Sequence, residues 1–562
     1  MKADKVVIID GFTDSPFDLG VPPFMASEVR YVAGACWDRD DKTRVIYVTV
    51  DDLNAGRKSS LMEGADLILV YAGEPRASPV IRPSPDVRRV AGIQDIVDYI
   101  AYLDCPKVLA GPHVTVNDGE IDDRLGFQRV VTGDLSKFAH ETLSEGSEID
   151  DVDPSVERTN EDLKKFSILG AGLAIQNRGY PSFLSIGVEL YRGCPSAMEG
   201  GCSFCHHALR TTVEYRPVED VVAEVAKISE LGCENILFQC PCFLSYFSSP
   251  NDDEGLQLDR DAIEKLLEGV RSVAPGLKGI HVEGINPGVF AIDWQESKRI
   301  LKTMLSQCTD GNFTNVKAFS FDDQVQLMNN ISSTTEQTVE VVRNLAEAGS
   351  EIGPDGLPRL LPVIELVYGL AGETQETLDV NLEAMRDLAS EGLVRGVVAR
   401  ELVPVPGTTI AKRDDLEEQE GLQNHLESLE NEINRPLNGK LAPPGQLVRD
   451  VYTYRTVEDS TAAIKVGVNA PGFLIYGSPK LNALQDVRVT GANEGNLEAL
   501  TQPLIPKTVS RDVLRLIPEM SEERIDDFMR VRPENELDFY QLFEQPSVGR
   551  RAASYFEFEQ AT

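Results

Sequence analysis

Six short apolar segments, each followed by a helical pattern, dominate the middle of the sequence and limit the folds that it can adopt. They read LSIGVEL (184–190), NILFQC (235–240), KGIHVEGI (278–285), VKAFSF (316–321), LPVIELVYGL (361–370) and GVVARELVPV (396–405). Between them, one amphipathic helix is predicted to start at Pro217, and another to open with a capping box of Ser333 and Glu336 and to end at Gly349. Six strand–helix units in a row predict an α/β fold with a partial (β/α)6 TIM-like barrel, whose functional loops follow the strands.

The loop after the first of these strands carries three of the chain's nine cysteines. Its sequence, LYRGCPSAMEGGCSFCHH, contains Cys194, Cys202 and Cys205. Thiolates are soft ligands that select zinc or iron–sulfur clusters. Because His206 and His207 follow directly, the spacing alone leaves two alternatives open, a Cys3His zinc knuckle and a cluster with one open iron. The position of the loop at the carboxyl end of the barrel favours the cluster, since chemistry is expected there.

Residues 1–145 also alternate β-branched runs with helical patterns. Runs such as KVVIID, RVIYVTV and DLILVYAG are apolar on both faces, which predicts a parallel sheet and a Rossmann-like domain. The first turn has no GxGxxG motif, so a dinucleotide site is not predicted. Gly111, Pro112 and His113 resemble the GGPH turn of cobalamin-binding-like domains, but the cobalt-ligating DxHxxG motif is absent. A loop that only turns the chain is an equal alternative for this segment.

The remaining domain boundaries follow from composition. Residues 146–180 are acidic and lack an apolar period, so they are predicted to be a linker before the barrel domain at 181–445. Short strands over 446–500 predict a small β module similar to the TRAM module. Residues 501–562 predict a helix-hairpin-helix and a tail. Because Glu519 and Ser521 stand where nucleic-acid-binding hairpins have glycines, a packing or protein-binding role is an alternative to RNA binding.

The charge of the chain also bears on its partners and location. The formal net charge of -37 repels polyanions, which argues against nucleic acid and anionic membranes. The interpretation that we favour is a halophilic archaeon with molar salt in its cytoplasm, where screening acts over about 3 Å. No apolar run approaches a membrane span and the N-terminus enters a strand pattern directly, so a cytoplasmic location is predicted. Nine clustered cysteines predict reduced thiols or metal ligands instead of disulfides.

The central segments together resemble the radical S-adenosylmethionine (radical SAM) superfamily. The resemblance rests on the first strand with CPSAMEGGCSFC and on GLAGETQETLDVN (369–381), which is similar to the GLPGET turn after the fifth strand of one branch. It covers roughly residues 184–409, and a group of archaeal proteins with a C-terminal helix-hairpin-helix is more similar still. The first cysteine interval is four residues longer than in the usual CxxxCxxC motif.

The resemblance implies that Cys194, Cys202 and Cys205 hold a 4Fe-4S cluster whose open iron binds S-adenosylmethionine. It places Phe204 near the adenine and aims further polar or small residues at the same face of the barrel. The residues predicted in this way to bind the cofactor are Phe204, Gln239, Glu283, Asn286, Glu365 and Gly369. Where relatives often have GGE, this chain has Gln239 to Cys242. Cys240 and Cys242 are interpreted as buried residues, with auxiliary ligands or a sacrificial thiol as alternatives.

The predicted function is therefore reductive cleavage of S-adenosylmethionine to a 5′-deoxyadenosyl radical. RNA is the candidate substrate, methyl transfer or a related modification the candidate reaction, and a reductant protein the electron donor. Cobalamin is a possible further cofactor, although the sequence lacks the cobalt-ligating DxHxxG motif. Methylthiotransferase activity is disfavoured, because the N-terminal domain has only Cys36 and Cys105. The alternative is a catalytically inactive, metal-stabilised scaffold, which is favoured by the altered GGE segment and by FSFDDQV where relatives have Gly-x-Glu-Ser.

Overall fold

The computed structural model describes residues 2–12, 24–83, 90–210, 212–251, 255–414, 416, 420–477, 479–493 and 495–558. These residues form a mixed α/β structure with parallel sheets. The first six strands are β1 (Lys5–Asp10), β2 (Phe24–Met25), β3 (Arg44–Thr49), β4 (Leu67–Tyr71), β5 (Lys107–Ala110) and β6 (Arg129–Val130). Five of them form a fully parallel sheet in the order β3-β1-β4-β5-β6.

Both faces of this N-terminal sheet are covered, which explains why its strands are apolar throughout. Along β1, Val6 and Ile8 belong to the main core shared with the central domain, while Val7 and Ile9 belong to a separate core on the opposite face. Side chains of a strand alternate between the two faces of its sheet, so a sheet buried on both sides has no polar face. The parallel sheet predicted from these runs is therefore present.

The segment predicted as a linker contains a well-packed helix. The first seven helices are α1 (Ser27–Arg39), α2 (Val50–Asn54), α3 (Ser59–Met62), α4 (Gln94–Ile100), α5 (Pro112–Val116), α6 (Leu135–Thr142) and α7 (Asn160–Gly170). A capping box of Thr159 and Asp162 opens α7. The helix contacts α1 so closely that a Cβ on Gly34 would lie 1.9 Å from the backbone oxygen of Phe166. The apolar face of α7 is short and lies in an acidic segment, so the sequence pattern alone did not predict the helix.

Replacing Gly34 with alanine is expected to separate α1 from α7. Alanine favours an isolated helix by up to about 1 kcal/mol, but overpacking typically costs about 1–3 kcal/mol, so the net change should be destabilising. Hydrogen exchange of the α7 amides measures the opening of the contact. The matched control is Gly276→Ala, because a Cβ there meets nothing within 4 Å. Equal exchange in both variants would contradict the packing described for α7.

The six segments predicted as barrel strands are all extended, but they are divided between two sheets. The central strands are β7 (Ser185–Glu189), β8 (Tyr191–Arg192), β9 (Glu214–Tyr215), β10 (Asn235–Gln239), β11 (Ser249–Asn251), β12 (Gly255–Gln257), β13 (Gly279–Val282), β14 (Gly284–Ile285), β15 (Asn315–Phe319), β16 (Val363–Tyr368) and β17 (Gly396–Glu401). Two four-stranded parallel sheets, β13-β10-β7-β2 and β14-β15-β16-β17, follow each other along the chain at Glu283.

N-terminal residues cover the outer edges of both central sheets. At one edge, β2 pairs with β7 through Phe24 and Ser185. At the other edge, Ile81 forms an antiparallel bridge with Ala399 of β17. The N-terminal domain therefore encloses the central domain from two sides, an arrangement that the sequence did not reveal because these contacts join distant segments.

Helices connect the central strands. They are α8 (Val218–Glu230), α9 (Arg260–Val273), α10 (Pro287–Ile292), α11 (Trp294–Gln307), α12 (Asp323–Met328), α13 (Thr335–Gly349), α14 (Gln375–Ser390), α15 (Leu422–Ser428) and α16 (Arg435–Lys440). The capping box of α13 consists of Thr334 and Gln337, one residue later than the predicted Ser333 and Glu336. Ser333 is buried and accepts a hydrogen bond from the Thr338 hydroxyl, so it is not available as the cap.

A closed five-stranded barrel and four helices complete the described chain. The strands are β18 (Leu447–Val457), β19 (Ser460–Lys465), β20 (Gly472–Tyr476), β21 (Ala483–Asn493) and β22 (Asn496–Thr501), and the helices are α17 (Arg511–Arg515), α18 (Glu522–Val531), α19 (Glu536–Tyr540) and α20 (Pro546–Ala553). Ser521 caps α18, and Glu519 pairs with Arg551 at 2.9 Å. The predicted tail is largely packed, since Phe539 and Phe556 lie in the core of these helices.

All nine cysteines are free thiols. Within the described ranges, no helix has both the length and the apolar character that crossing a membrane requires.

Candidate functional site

The long interval between Cys194 and Cys202 is folded into one compact turn. Pro195–Glu199 form a 3-10 helix, and the Ala197 amide donates to the Cys194 carbonyl at 2.9 Å. Gly200 and Gly201 follow with φ angles of 100° and 63°, which residues other than glycine rarely adopt. The four additional residues are therefore taken up by this turn.

The three thiols of this loop are partly buried and influence one another. Burial, reinforced by the Cys205 and Cys194 sulfurs, raises the pKa of the Cys202 thiol to about 12. Burial also raises the pKa of Cys205, while the backbone amides of His207 and Ala208 lower it by favouring the thiolate. Across the described residues, no three His, Cys, Asp or Glu side chains already have the arrangement of a metal site.

Asn329 joins the cysteine loop to the GLAGET turn. Its side-chain oxygen accepts a hydrogen bond from the Ser203 hydroxyl at 2.8 Å, and its side-chain amide donates to the Ala371 carbonyl at 2.9 Å. The neighbouring Asn330 donates to the Gly201 carbonyl at 2.7 Å. Asn329 is fully buried at the end of α12. Two asparagines that the sequence analysis did not select thus fix the position of the cysteine loop.

Phe204 and Gly369 lie near this anchor. The Phe204 ring packs edge-on against Phe319, with 5.1 Å between the ring centroids. Gly369 has a φ of 91°, and its amide donates to the Glu373 carboxylate at 2.6 Å. Burial raises the pKa of Glu373 to about 7. In the structure Gly369 shapes the GLAGET turn, and its predicted role in binding the cofactor stays a prediction.

Charged side chains from three neighbouring strands, β15, β16 and β17, converge with Glu283 inside the central domain. Glu365 pairs with Arg400 at 2.8 Å, and Lys317 donates to the Pro241 carbonyl at 2.7 Å. Burial lowers the pKa of Lys317, but Glu283 and Glu365 oppose it, so that the net shift is upward. Burial raises the pKa of Glu283. The predicted Glu283 and Glu365 are brought together, with Lys317 and Arg400 as additional members.

Gln239 and Asn286 differ in how much of their hydrogen-bonding capacity is used. Gln239 Oε1 is buried without a partner among the described residues, and Gly187 leaves the space that the Gln239 side chain occupies. The Asn286 side-chain oxygen instead caps α10 by accepting from the Gly288 amide at 2.8 Å. The Asn286 backbone amide also donates to Cys242 Sγ at 3.4 Å. Gln239 Oε1 therefore has no hydrogen-bond partner among the described residues, whereas the Asn286 side chain is engaged in the fold.

His206 and His207 stack beside the cysteine loop, with 4.0 Å between their ring centroids. Burial lowers the pKa of both rings, and the Lys317 charge lowers it further. Both histidines and Cys240 line a cavity of about 340 Å3. The two histidines directly follow Cys205 in the chain.

Three cavities meet at Glu283. The cavity of about 340 Å3 lies beside the cysteine loop, and a second of about 610 Å3 lies under the strand ends of the N-terminal sheet, from Gly111 to Val116 and from Val131 to Ser136. A third, of about 320 Å3, extends toward the C-terminal barrel. Glu283 lines all three cavities, and Gln239 lines both smaller ones.

No family model matches the chain. Among curated proteins, MJ0274 of Methanocaldococcus jannaschii is 32% identical over 80% of this chain and 84% of its own length. The chain belongs to the family of this archaeal protein. A protein of Archaeoglobus fulgidus is 26% identical over 80% of each chain.

The solved structures that resemble this chain are less similar to it in sequence than the two archaeal proteins. The radical S-adenosylmethionine methyltransferase TsrM from Kitasatospora setae, with cobalamin and a [4Fe-4S] cluster bound, has a TM-score of 0.48 at 15% identity, over 73% of this chain and 77% of that chain. The cobalamin-dependent S-adenosylmethionine radical enzyme OxsB has a TM-score of 0.46 at 11% identity, over 68% and 52% of the two chains. Because both TM-scores are below 0.5, the function proposed below is derived from this chain's own residues.

One kind of signal in the sequence could have identified two of the residues that were missed. Lys317 and Arg400 are charges inside largely apolar strands, and such charges are usually paired or functional. Asn329 offers no comparable signal, because its partners in the cysteine loop and the GLAGET turn are more than 40 residues away.

Proposed function

We propose that the chain is a radical SAM enzyme in which Cys194, Cys202 and Cys205 hold a 4Fe-4S cluster. The observation that carries this proposal is the set of three partly buried thiols on one loop anchored by Asn329 and Asn330, next in the chain to His206 and His207, which line a cavity with polar side chains. The donor set fits such a group, because sulfur ligands select iron–sulfur clusters and amide N–H groups near the sulfurs stabilise thiolates.

A 4Fe-4S cluster with one open iron supplies an electron to bound S-adenosylmethionine, whose reductive cleavage gives methionine and a 5′-deoxyadenosyl radical. In this proposal the chain binds and orients that molecule. Lys317 binds the carboxylate of the methionine moiety and Glu283 its amino group, since both line the cavity beside the cysteine loop. Gln239 supplies a hydrogen-bond acceptor that is otherwise unused, and Phe204 lies beside the adenine.

The two central sheets would act together as one partial barrel around this cavity. Support comes from their parallel strands and from the single residue, Glu283, that separates β13 from β14. N-terminal residues pair with the outer strand of each sheet. A covered interior of this kind would strengthen electrostatic interactions in the site and limit side reactions of a radical.

The proposed chemistry does not require the predicted cobalamin, RNA substrate, methyl transfer or reductant protein. Cobalamin stays a prediction, and no step of the proposed function depends on it. RNA as substrate, methyl transfer and a reductant protein also remain predictions. The inactive scaffold is the competing function, and the missing Gly-x-Glu-Ser segment favours it, because Asp322 of FSFDDQV caps α12 instead.

Anaerobic reconstitution tests the proposal directly. The full-length protein is expected to retain about four iron and four sulfide ions per chain, and dithionite-reduced protein to convert S-adenosylmethionine to 5′-deoxyadenosine. Metal analysis and chromatography of the products measure these outcomes. Zinc in place of iron, or a fully loaded protein that never forms 5′-deoxyadenosine, would instead support the scaffold.

A further inference from the structure

The cavity of about 320 Å3 is built by three domains and has a mixed character. Its apolar walls come from the N-terminal domain, the central strands and the C-terminal barrel, and include Phe12, Phe24, Leu237, Val398 and Val468. Its polar lining includes Arg82, Gln239, Glu283 and Arg400. Such a combination is typical of sites for small molecules, in which a few polar groups orient a largely apolar ligand.

Arg82 enters this cavity from the segment that covers the edge of β17. The backbone is fixed on both sides, because the Ala399 amide donates to the Ile81 carbonyl at 3.0 Å and Arg395 donates to the Pro83 carbonyl at 2.8 Å. The Arg82 side chain is only 7% exposed. Its position is therefore set by the fold and not by a partner of its own guanidinium.

The guanidinium of Arg82 forms no hydrogen bond or ion pair with the described residues, and its Nε is buried without a partner. Arg158 and Arg400, which also line these cavities, are paired with carboxylates, Arg158 with Asp134 and Glu189 and Arg400 with Glu365. The buried Arg395 has no carboxylate partner among the described residues, but its guanidinium donates to the Pro83 carbonyl. Buried charges are normally paired, because an unpaired charge is costly to remove from water. The repulsion of Arg400 adds to burial in lowering the pKa of Arg82 to about 9.

We propose that this cavity is the substrate site and that it takes a small amphipathic anion, whose carboxylate or phosphate binds Arg82 and whose apolar body fills the space between the aromatic and aliphatic walls. The inference rests on the proposed function for the reaction itself. The cavity adjoins the one beside the cysteine loop through Gln239 and Glu283, so the ligand would lie next to bound S-adenosylmethionine.

Calorimetric titration of the full-length, anaerobically purified protein tests the site with defined probes. Phenylacetate and phenyl phosphate are expected to bind, and neutral phenylacetamide to bind at least about 10-fold more weakly, because it lacks the charge-assisted hydrogen bonds to Arg82. Whichever anion binds more tightly identifies carboxylate or phosphate as the native group. Equal affinity for phenylacetamide would overturn the proposal.

Variants locate the binding. R82Q is expected to weaken binding of the preferred anion by about 10- to 100-fold, while R82K retains part of the affinity. The matched control is R343Q, which removes an exposed arginine paired with Glu391 and should bind like the wild type. In the wild type, the preferred anion should also slow the modification of Arg82 by phenylglyoxal, a readout that does not depend on how a variant folds. An R82Q protein with wild-type affinity, or unprotected Arg82, contradicts the assignment.

The two proposals can fail independently. Binding of the anion needs neither a cluster nor S-adenosylmethionine, so a protein that binds phenyl phosphate but forms no 5′-deoxyadenosine overturns only the radical SAM function. A protein that cleaves S-adenosylmethionine but does not distinguish the anions from phenylacetamide overturns only the substrate site.

Discussion

Replacing Cys202 with alanine is expected to abolish the iron–sulfur content of the protein and its cleavage of S-adenosylmethionine. The three loop thiols provide all the ligands that the proposed cluster has in this chain, and Cys202 stands between the other two in the sequence. Loss of even an indirect partner of a metal site typically costs 10- to 100-fold in affinity or activity. Loss of a direct ligand should therefore lower 5′-deoxyadenosine formation by more than about 100-fold. Iron and sulfide analysis after identical reconstitution provides the measurement.

The control for this variant is Cys105→Ala, which removes another partly buried thiol far from the loop in sequence. It should retain full iron content and full 5′-deoxyadenosine formation. If Cys202→Ala keeps a complete cluster, the ligand assignment is wrong, even when the wild type is active. If both variants lose iron, the loss reflects general instability and the ligands must be sought by testing Cys194 and Cys205 separately.

The strands of this fold were predictable because a strand that is buried on both faces appears in the sequence as a continuous apolar run. Each of the six central segments contains a strand, and the N-terminal runs form the expected parallel sheet. Local capping was less predictable. Ser333 and Thr334 are both suitable caps by type, and only the burial of Ser333 determines that Thr334 opens α13. The same limitation applies to α7, whose apolar face is short and surrounded by acidic residues.

The interior of the candidate site depends on contacts between distant segments, and these leave no local pattern. Lys317 is near Glu283 and Glu365 only because β14, β15 and β16 are neighbours in one sheet. Asn286 shows the opposite case. The resemblance predicted a cofactor-binding role for it, and in the structure Pro287 begins a helix that the Asn286 oxygen caps. A residue at a strand end can thus serve either the ligand or the next helix, and the following residues help to distinguish the two.

Glu224→Gln is expected to cause the largest loss of stability among single substitutions at the domain interface. The Glu224 carboxylate is completely buried between Arg30 of α1 and Arg216, at 2.5 Å and 2.6 Å. Arg30 also donates to the Gly187 carbonyl of β7 at 2.6 Å. Removing one partner from a buried ion pair typically costs about 3–5 kcal/mol, because the remaining charge is left uncompensated. Here two arginines would lose their common counterion.

The consequence should be local opening at the start of the cysteine loop as well as at the domain interface. Because Arg216 also donates to the Glu189 carbonyl at 2.7 Å, the end of β7 depends on the same cluster of charges. Hydrogen exchange should therefore accelerate in α1 and β7 but not in α17 to α20, which belong to a separate core. The matched control is Glu391→Gln, since Glu391 pairs with Arg343 on the surface and such exposed pairs contribute about 0–1 kcal/mol. Equal exchange in the two variants would show that the buried charges do not hold the N-terminal domain against the strand that leads to Cys194.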